Sequence, residues 1–122
     1  MTRGRKVSST NYRNQSFLEK KCSLNELLDL VSKRWVSEVL FRIEEGNSRF
    51  KAIKEELQYI SDTVLADRLK LLEKHALVNK VYFNEMPPRV EYSLTENGKK
   101  LCEVLDIMCN FSDVLYTMNT LD

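Results

Sequence analysis

The run Met86-Pro87-Pro88-Arg89-Val90-Glu91-Tyr92-Ser93-Leu94-Thr95-Glu96-Asn97-Gly98 constrains the fold more than any other stretch of this chain. Two prolines cannot donate to a sheet ladder, so they belong at the tip of a hairpin. Val90, Tyr92 and Leu94 then alternate with Glu91 and Ser93, the period of a half-buried strand. Thr95 follows as the cap of a helix. The sequence thus predicts a turn, a strand and a helix start in immediate succession, with Arg89 exposed at the junction of tip and strand. A guanidinium there can reach a phosphate or enter a minor groove, or it can be an ordinary surface arginine.

The residues ahead of the hairpin narrow the choice. Leu65, Leu69 and Leu72 recur at i, i+4 and i+7, which is one face of a helix, and Ser61 stands as its N-cap with Asp62 in the first turn. The opposite face carries Thr63, Ala66, Asp67 and Lys70, with Arg68 at its flank. These short or polar side chains let a backbone lie deep in a groove. Phe50, Ile53 and Leu57 mark a short preceding helix, joined by the tight connection Gln58-Tyr59-Ile60. Helix, turn, helix and two-stranded hairpin is the order of a winged helix-turn-helix, a mainly α fold with a small β-hairpin. The expected recognition helix is 61–73 and the expected wing 84–90.

With these landmarks in place, the chain resembles an HxlR-type winged-helix transcriptional regulator, a relative of the MarR group, over Cys22 to Asn110. The matching positions are Cys22 ahead of the first helix, Leu27-Leu28-Asp29-Leu30, Lys33-Arg34-Trp35, Arg49-Phe50 and Ile60-Ser61. They continue through Leu65, Leu69, Leu72, Glu73 and Leu77-Val78 to the Pro87–Gly98 segment, where agreement is densest. The chain departs from the family pattern at Ser32-Lys33, where two glycines are usual, and at His75-Ala76, where Asp-Gly is usual. It departs again at Ala66 and Asp67, where Thr and Gln are frequent, so the operator read here differs from that of members with those residues. The resemblance implies a bacterial or archaeal cytoplasmic regulator. It also implies a role for Cys22, since some similar proteins sense oxidants or electrophiles with a cysteine at this position. The residue-level reading gives Cys22 two options. It precedes a helix and follows Lys20 and Lys21, all of which favour thiolate, or it is a small, partly buried side chain.

Charge is uneven along the 122 residues, although the formal net is only +1. Residues 1–21 hold six basic side chains against one acidic, a net of +5; residues 22–100 are balanced; residues 101–122 hold four acids and no base. The basic end suits a DNA-tracking arm or a solvated tail, and the acidic end should face away from DNA.

Ser23-Leu24-Asn25-Glu26 reads as a capping box opening a first helix with Leu24, Leu27, Leu28 and Val31 on one side. Trp35, Val36, Val39, Leu40 and Ile43 form the stripe of a second helix that stops at Gly46, with Trp35 a packing residue rather than a base-stacking platform. Lys33 and Arg34 are placed at the start of this helix, as phosphate contacts or as solvated charges. In the last segment Leu101, Val104, Met108, Phe111, Leu115 and Met118 follow a 3-4 spacing, widened by Leu105 and Val114. A small domain has little left to cover such a seam. The expectation is a homodimer interface, set against a helix folded back on its own domain. The implied organisation is an arm at 1–21, a winged helix at 22–94 and a dimerisation helix at 95–122.

Catalysis finds no support. There is no glycine-rich phosphate loop, and His75 is the only histidine, so neither a metal pair nor a nucleophile–base pair can be composed, and no cofactor is expected. Cys102 and Cys109 lie seven apart on one helix, too far to bond to each other. No stretch has the length of a membrane span, and the first residues lack the apolar core of a signal peptide. Ser61, Thr63, Asp67 and Arg68 are the expected contacts to bases or their flanking phosphates. Lys33, Arg34, Arg49 and Lys51 are expected on the DNA backbone and Arg89 in the wing. The expected partners are a pseudo-palindromic duplex operator and a second copy of the chain. The rival reading is a protein-interaction module without specific DNA binding, because winged helices also pack on proteins and Asp62 and Asp67 oppose phosphate. No polar constellation marks an effector pocket.

Overall fold

A computed structural model of the chain describes residues 23–121, with side chains through residue 117. It divides into a first unit ending at Arg34 and a second beginning at Trp35. The first unit holds helix α1 over 23–32, whose Leu24, Leu27 and Leu28 are exposed. The helix already includes Ser23, one residue earlier than a cap at Ser23 implies.

The second unit runs α2 (Val36–Glu44), α3 (Phe50–Glu56), α4 (Asp62–Lys74), β1 (Val78–Phe83), β2 (Arg89–Leu94) and α5 (Glu96–Leu121). Its centre is α2, whose Val36, Val39 and Leu40 are completely buried and whose Ile43 is nearly so. Trp35 is not on that stripe. It is the N-cap, half-buried, with φ 78. Its backbone is left-handed, so the indole leaves the helical period that the sequence suggested. The other end follows expectation: Gly46 takes φ 112, and Gly46 and Asn47 N–H groups donate to the Ile43 and Arg42 carbonyls at 3.0 and 3.1 Å.

Helix α3 contributes Ile53 to the core, and Leu57 and Ile60 bury at either side of the turn. Ser61 then caps α4, its hydroxyl accepting from the Val64 N–H at 3.1 Å. Leu65, Leu69 and Leu72 face inward as their spacing demands. Each side chain so buried stabilises the unit by about 1.5–3 kcal/mol. The helix ends at His75, and Ala76 adopts φ 60. This is the position where the resembled family carries glycine, and the left-handed backbone is the reason. Alanine tolerates it at a cost of about 1 kcal/mol or more.

Strands β1 and β2 pair antiparallel from Val78↔Leu94 to Phe83↔Arg89, and residues 84–88 form the tip that carries both prolines. The alternation expected in β2 is only partial, because Glu91 is half-buried along with Val90, Tyr92 and Leu94. The exit from the hairpin is tightly held. Thr95 N–H donates to the Leu77 carbonyl at 3.1 Å, its hydroxyl donates to the Ala76 carbonyl at 2.7 Å, and the same hydroxyl accepts from Gly98 N–H at 3.0 Å. A Cβ on Gly98 would lie 2.1 Å from the Leu77 carbonyl oxygen. Helix α5 can start in this direction only because residue 98 has no side chain.

The first turns of α5 pack on α2, burying Leu101, Cys102 and Leu105. Leu101 therefore belongs to the core of its own unit and drops out of the expected dimer seam. The reason is axial: at 100° per residue Leu101 lies only about 20° from Met108, but it stands in the first turns of α5, which α2 covers.

Two substitutions test this junction. Gly98→Ala should destabilise the protein by about 2 kcal/mol or more, since the collision is with backbone. Ala76→Gly should stabilise it by roughly 0.5–1 kcal/mol, the relief of the left-handed strain less the entropy glycine loses on folding. Denaturant melts at one protein concentration read both.

Candidate nucleic-acid interface

Because Leu65, Leu69 and Leu72 turn inward, α4 presents Thr63, Ala66, Asp67 and Lys70 to solvent. Arg68 is less available, its side chain 20% exposed and its Nη1 paired with the Asp67 carboxylate. At the N-terminal end, Lys54 of α3 reaches the Asp62 carboxylate at 2.8 Å and ties α3 to the start of α4. The two aspartates that argued against a phosphate-facing surface are thus each matched by a cation. Ser61 is exposed beside them, one lone pair of its hydroxyl engaged in the cap.

A second group forms where α3 meets the wing. Arg49, Lys51, Glu55, Pro88, Arg89 and Val90 line one open groove, so three of the expected backbone contacts, Arg49, Lys51 and Arg89, come together. Ser61, Thr63, Asp67 and Arg68 stand apart from it on α4. Lys33 and Arg34 lie in the first unit, both exposed, in the turn that precedes α2 rather than on α2 itself.

Arg89 is not the free, exposed side chain that the sequence suggested. It is 28% exposed; its Nη1 lies 3.0 Å from Glu85 Oε1, its Nε lies 3.1 Å from Glu91 Oε2, and its guanidinium stacks 4.0 Å from the centre of the Phe83 ring. The Nε contact is out of line for a hydrogen bond, so charge attraction carries it. Strand register produces the cluster. Phe83 and Arg89 are the last ladder pair, and Glu91 follows two residues on, so all three project from one face.

Sequence reasoning passed over Tyr59, which is 96% exposed at φ 75 in the turn just ahead of the Ser61 cap, and Tyr82, exposed on β1. The available signal was that neither aromatic fits a buried period. Tyr59 lies between the buried Leu57 and Ile60, in a connection too short to turn it inward.

From Val104 onward, α5 exposes an apolar stripe: Val104 46%, Met108 46%, Phe111 64% and Leu115 40%, widened by Ile107 and Val114. Met118 lies past the described side chains, and Cys22 lies outside the described residues altogether. Of the other cysteines, Cys109 is exposed, whereas burial, reinforced by the carboxylates of Glu44 and Asp106, pushes the Cys102 thiol up to about 11.

A family model described as HxlR-like helix-turn-helix matches residues 30–119. The chain belongs to this family. Among its relatives is an uncharacterised HTH-type transcriptional regulator of Bacillus subtilis, YvaP, 42% identical over 78 residues, covering 64% of this chain and 72% of YvaP. Solved structures agree. A MarR-family transcriptional regulator from Enterococcus faecalis V583 superposes with a TM-score of 0.77 at 32% identity, covering 84% of this chain and 94% of that one. The reduced form of the transcriptional regulator YodB from B. subtilis does so at 0.70 and 35%, covering 75% and 89%. YodB is also known in diamide-treated and quinone-bound forms. This HxlR-like chain is accordingly a DNA-binding transcriptional regulator and not an enzyme. No helix among its described residues is long and apolar enough to cross a membrane.

The contrast between the two α5 thiols is directly measurable. In a Cys22→Ser variant at neutral pH, an alkylating reagent should modify Cys109 and spare Cys102, because only a thiolate attacks and Cys102 stays protonated far above pH 7. Mass spectrometry of the intact protein should find one adduct when folded and two in denaturant.

Proposed function

We propose that the chain works in the cytoplasm as a homodimer that binds a pseudo-palindromic operator, with α4 in the major groove and the wing on the adjacent backbone or minor groove. Ser61, Thr63, Asp67 and Arg68 contact base edges or their flanking phosphates. Lys33, Arg34, Arg49 and Lys51 hold the backbone, and Arg89 serves the wing. Residues 1–21 act as a basic arm, 22–94 as the DNA-binding domain and 95–122 as the dimerisation helix. The observation that carries this reading is the occurrence on one chain of an exposed polar face on α4, a groove lined by Arg49, Lys51 and Arg89, and an exposed apolar stripe on α5. Val104, Met108, Phe111, Leu115 and Met118 bury against the mate, with Ile107 and Val114 added and Leu101 excluded. Two-fold symmetry then spaces the α4 helices about 34 Å apart, one turn of the duplex.

Asp67 suits direct readout, since a carboxylate accepts from cytosine N4 once its pairing with Arg68 is released. Redox control through Cys22 is the second element of the proposal. Its support is likeness to YodB, known in reduced, diamide-treated and quinone-bound forms, and the two lysines beside the thiol.

Titrating the protein with its own upstream DNA and with scrambled duplex across a salt series, alongside size-exclusion mass, tests the whole. Sequence-preferring binding by a dimer, weakening steeply with salt, is expected. Weak binding indifferent to sequence turns the reading to a protein-interaction module. Arg89→Ala should weaken binding to all sequences by about 1 kcal/mol and lower the salt slope by about 1. If an oxidant changes operator affinity, Cys22→Ser should abolish the change, and a retained effect removes Cys22 as the sensor.

A further inference from the structure

Around Arg89 the wing carries one cation and two anions. Glu91 sits in the ladder of β2 and holds the buried Nε from within the strand. Glu85 is different. It lies in the tip, half exposed, its N–H donating to the Phe83 carbonyl at 2.9 Å, which sets its carboxylate beside the last ladder pair and 3.0 Å from Nη1. A guanidinium grips a phosphate best through two parallel donors. With Glu91 on Nε and the Phe83 ring against the guanidinium plane, the pair left for that grip is Nη1 and Nη2, and Glu85 occupies half of it. Glu85 and Glu91 thus offset the charge of Arg89 locally, and Glu85 stands where a phosphate oxygen would bind.

We propose that Glu85 is a built-in competitor of DNA phosphate for Arg89. The wing is held closed by the Glu85 pair, and engaging the backbone requires Glu85 to swing out while Glu91 and Phe83 keep the guanidinium aimed. The competitor is well suited to exchange because an exposed ion pair of this kind is weak, and its loop position lets it leave without breaking the ladder. Phe83 and Glu91 are positioning residues in this scheme; Glu85 sets how much of the Arg89 contact is realised. The proposal rests on the wing reading given above, and the experiment separates the two.

Phosphate contacts do not depend on sequence, so the probe is a random-sequence duplex of roughly 30 base pairs at low salt, followed by fluorescence anisotropy. Wild type, Glu85→Gln, Arg89→Ala and the double variant are compared, with thermal melts to verify folding. Glu85→Gln should tighten binding by about two- to fivefold, the strength of an exposed ion pair. In the Arg89→Ala background that gain should largely vanish. An equal gain in both backgrounds overturns the proposal, because it reports only the loss of a negative charge. Weaker or unchanged binding by Glu85→Gln, with Arg89→Ala weakened, overturns it too and leaves the wing reading standing. Arg89→Ala binding as tightly as wild type overturns both, as does a wild-type protein that binds no duplex.

Discussion

The apolar stripe of α2 is the surface on which the second unit is assembled. Val36, Val39, Leu40 and Ile43 meet α3, α4, β2 and α5, so each element that presents a functional group takes its position from this one helix. Close packing makes that arrangement stiff. A polar substitution at Leu40 would loosen α4 and the α5 anchor together, without touching any residue proposed to meet DNA.

A second constraint, the close approach of Gly98 to the Leu77 carbonyl, decides where α5 goes. Thr95 closes the same junction by bonding Ala76, Leu77 and Gly98. The helix leaves with Leu101, Cys102 and Leu105 inward, and its remaining length, out of 26 residues in all, extends past the core. A buried and an exposed apolar surface therefore share one helix. The inner face serves the fold. The outer one is left uncovered by the rest of the second unit.

Electrostatics across the candidate interface is balanced more finely than a net charge of +1 suggests. Lys54 pairs with Asp62, Arg68 with Asp67, and Arg89 with Glu85 and Glu91. Such pairs are weak in water and exchange readily, so a phosphate or a base edge can displace one member at modest cost. A surface of this kind gains little from bulk attraction, which places more weight on fit.

Element order, the three inward leucines of α4, the Ser61 and Thr95 caps and the Gly46 stop were all legible in the sequence. Each depends on spacing along one element or on a backbone group within a few residues. The HxlR-type resemblance was legible for the same reason, since its motifs are local. What tertiary structure alone decided lies between elements. The register that stacks Arg89 on Phe83 and brings Glu85 and Glu91 around it follows from how the wing closes, and no periodicity within β2 contains it. The removal of Leu101 from the apolar seam follows from the packing of α2 over the first turns of α5. Trp35 left its expected stripe because it caps α2 with a left-handed backbone instead of continuing the helix. A sequence states which side chains share a face of a helix or strand, but which neighbour that face meets is set by packing in three dimensions.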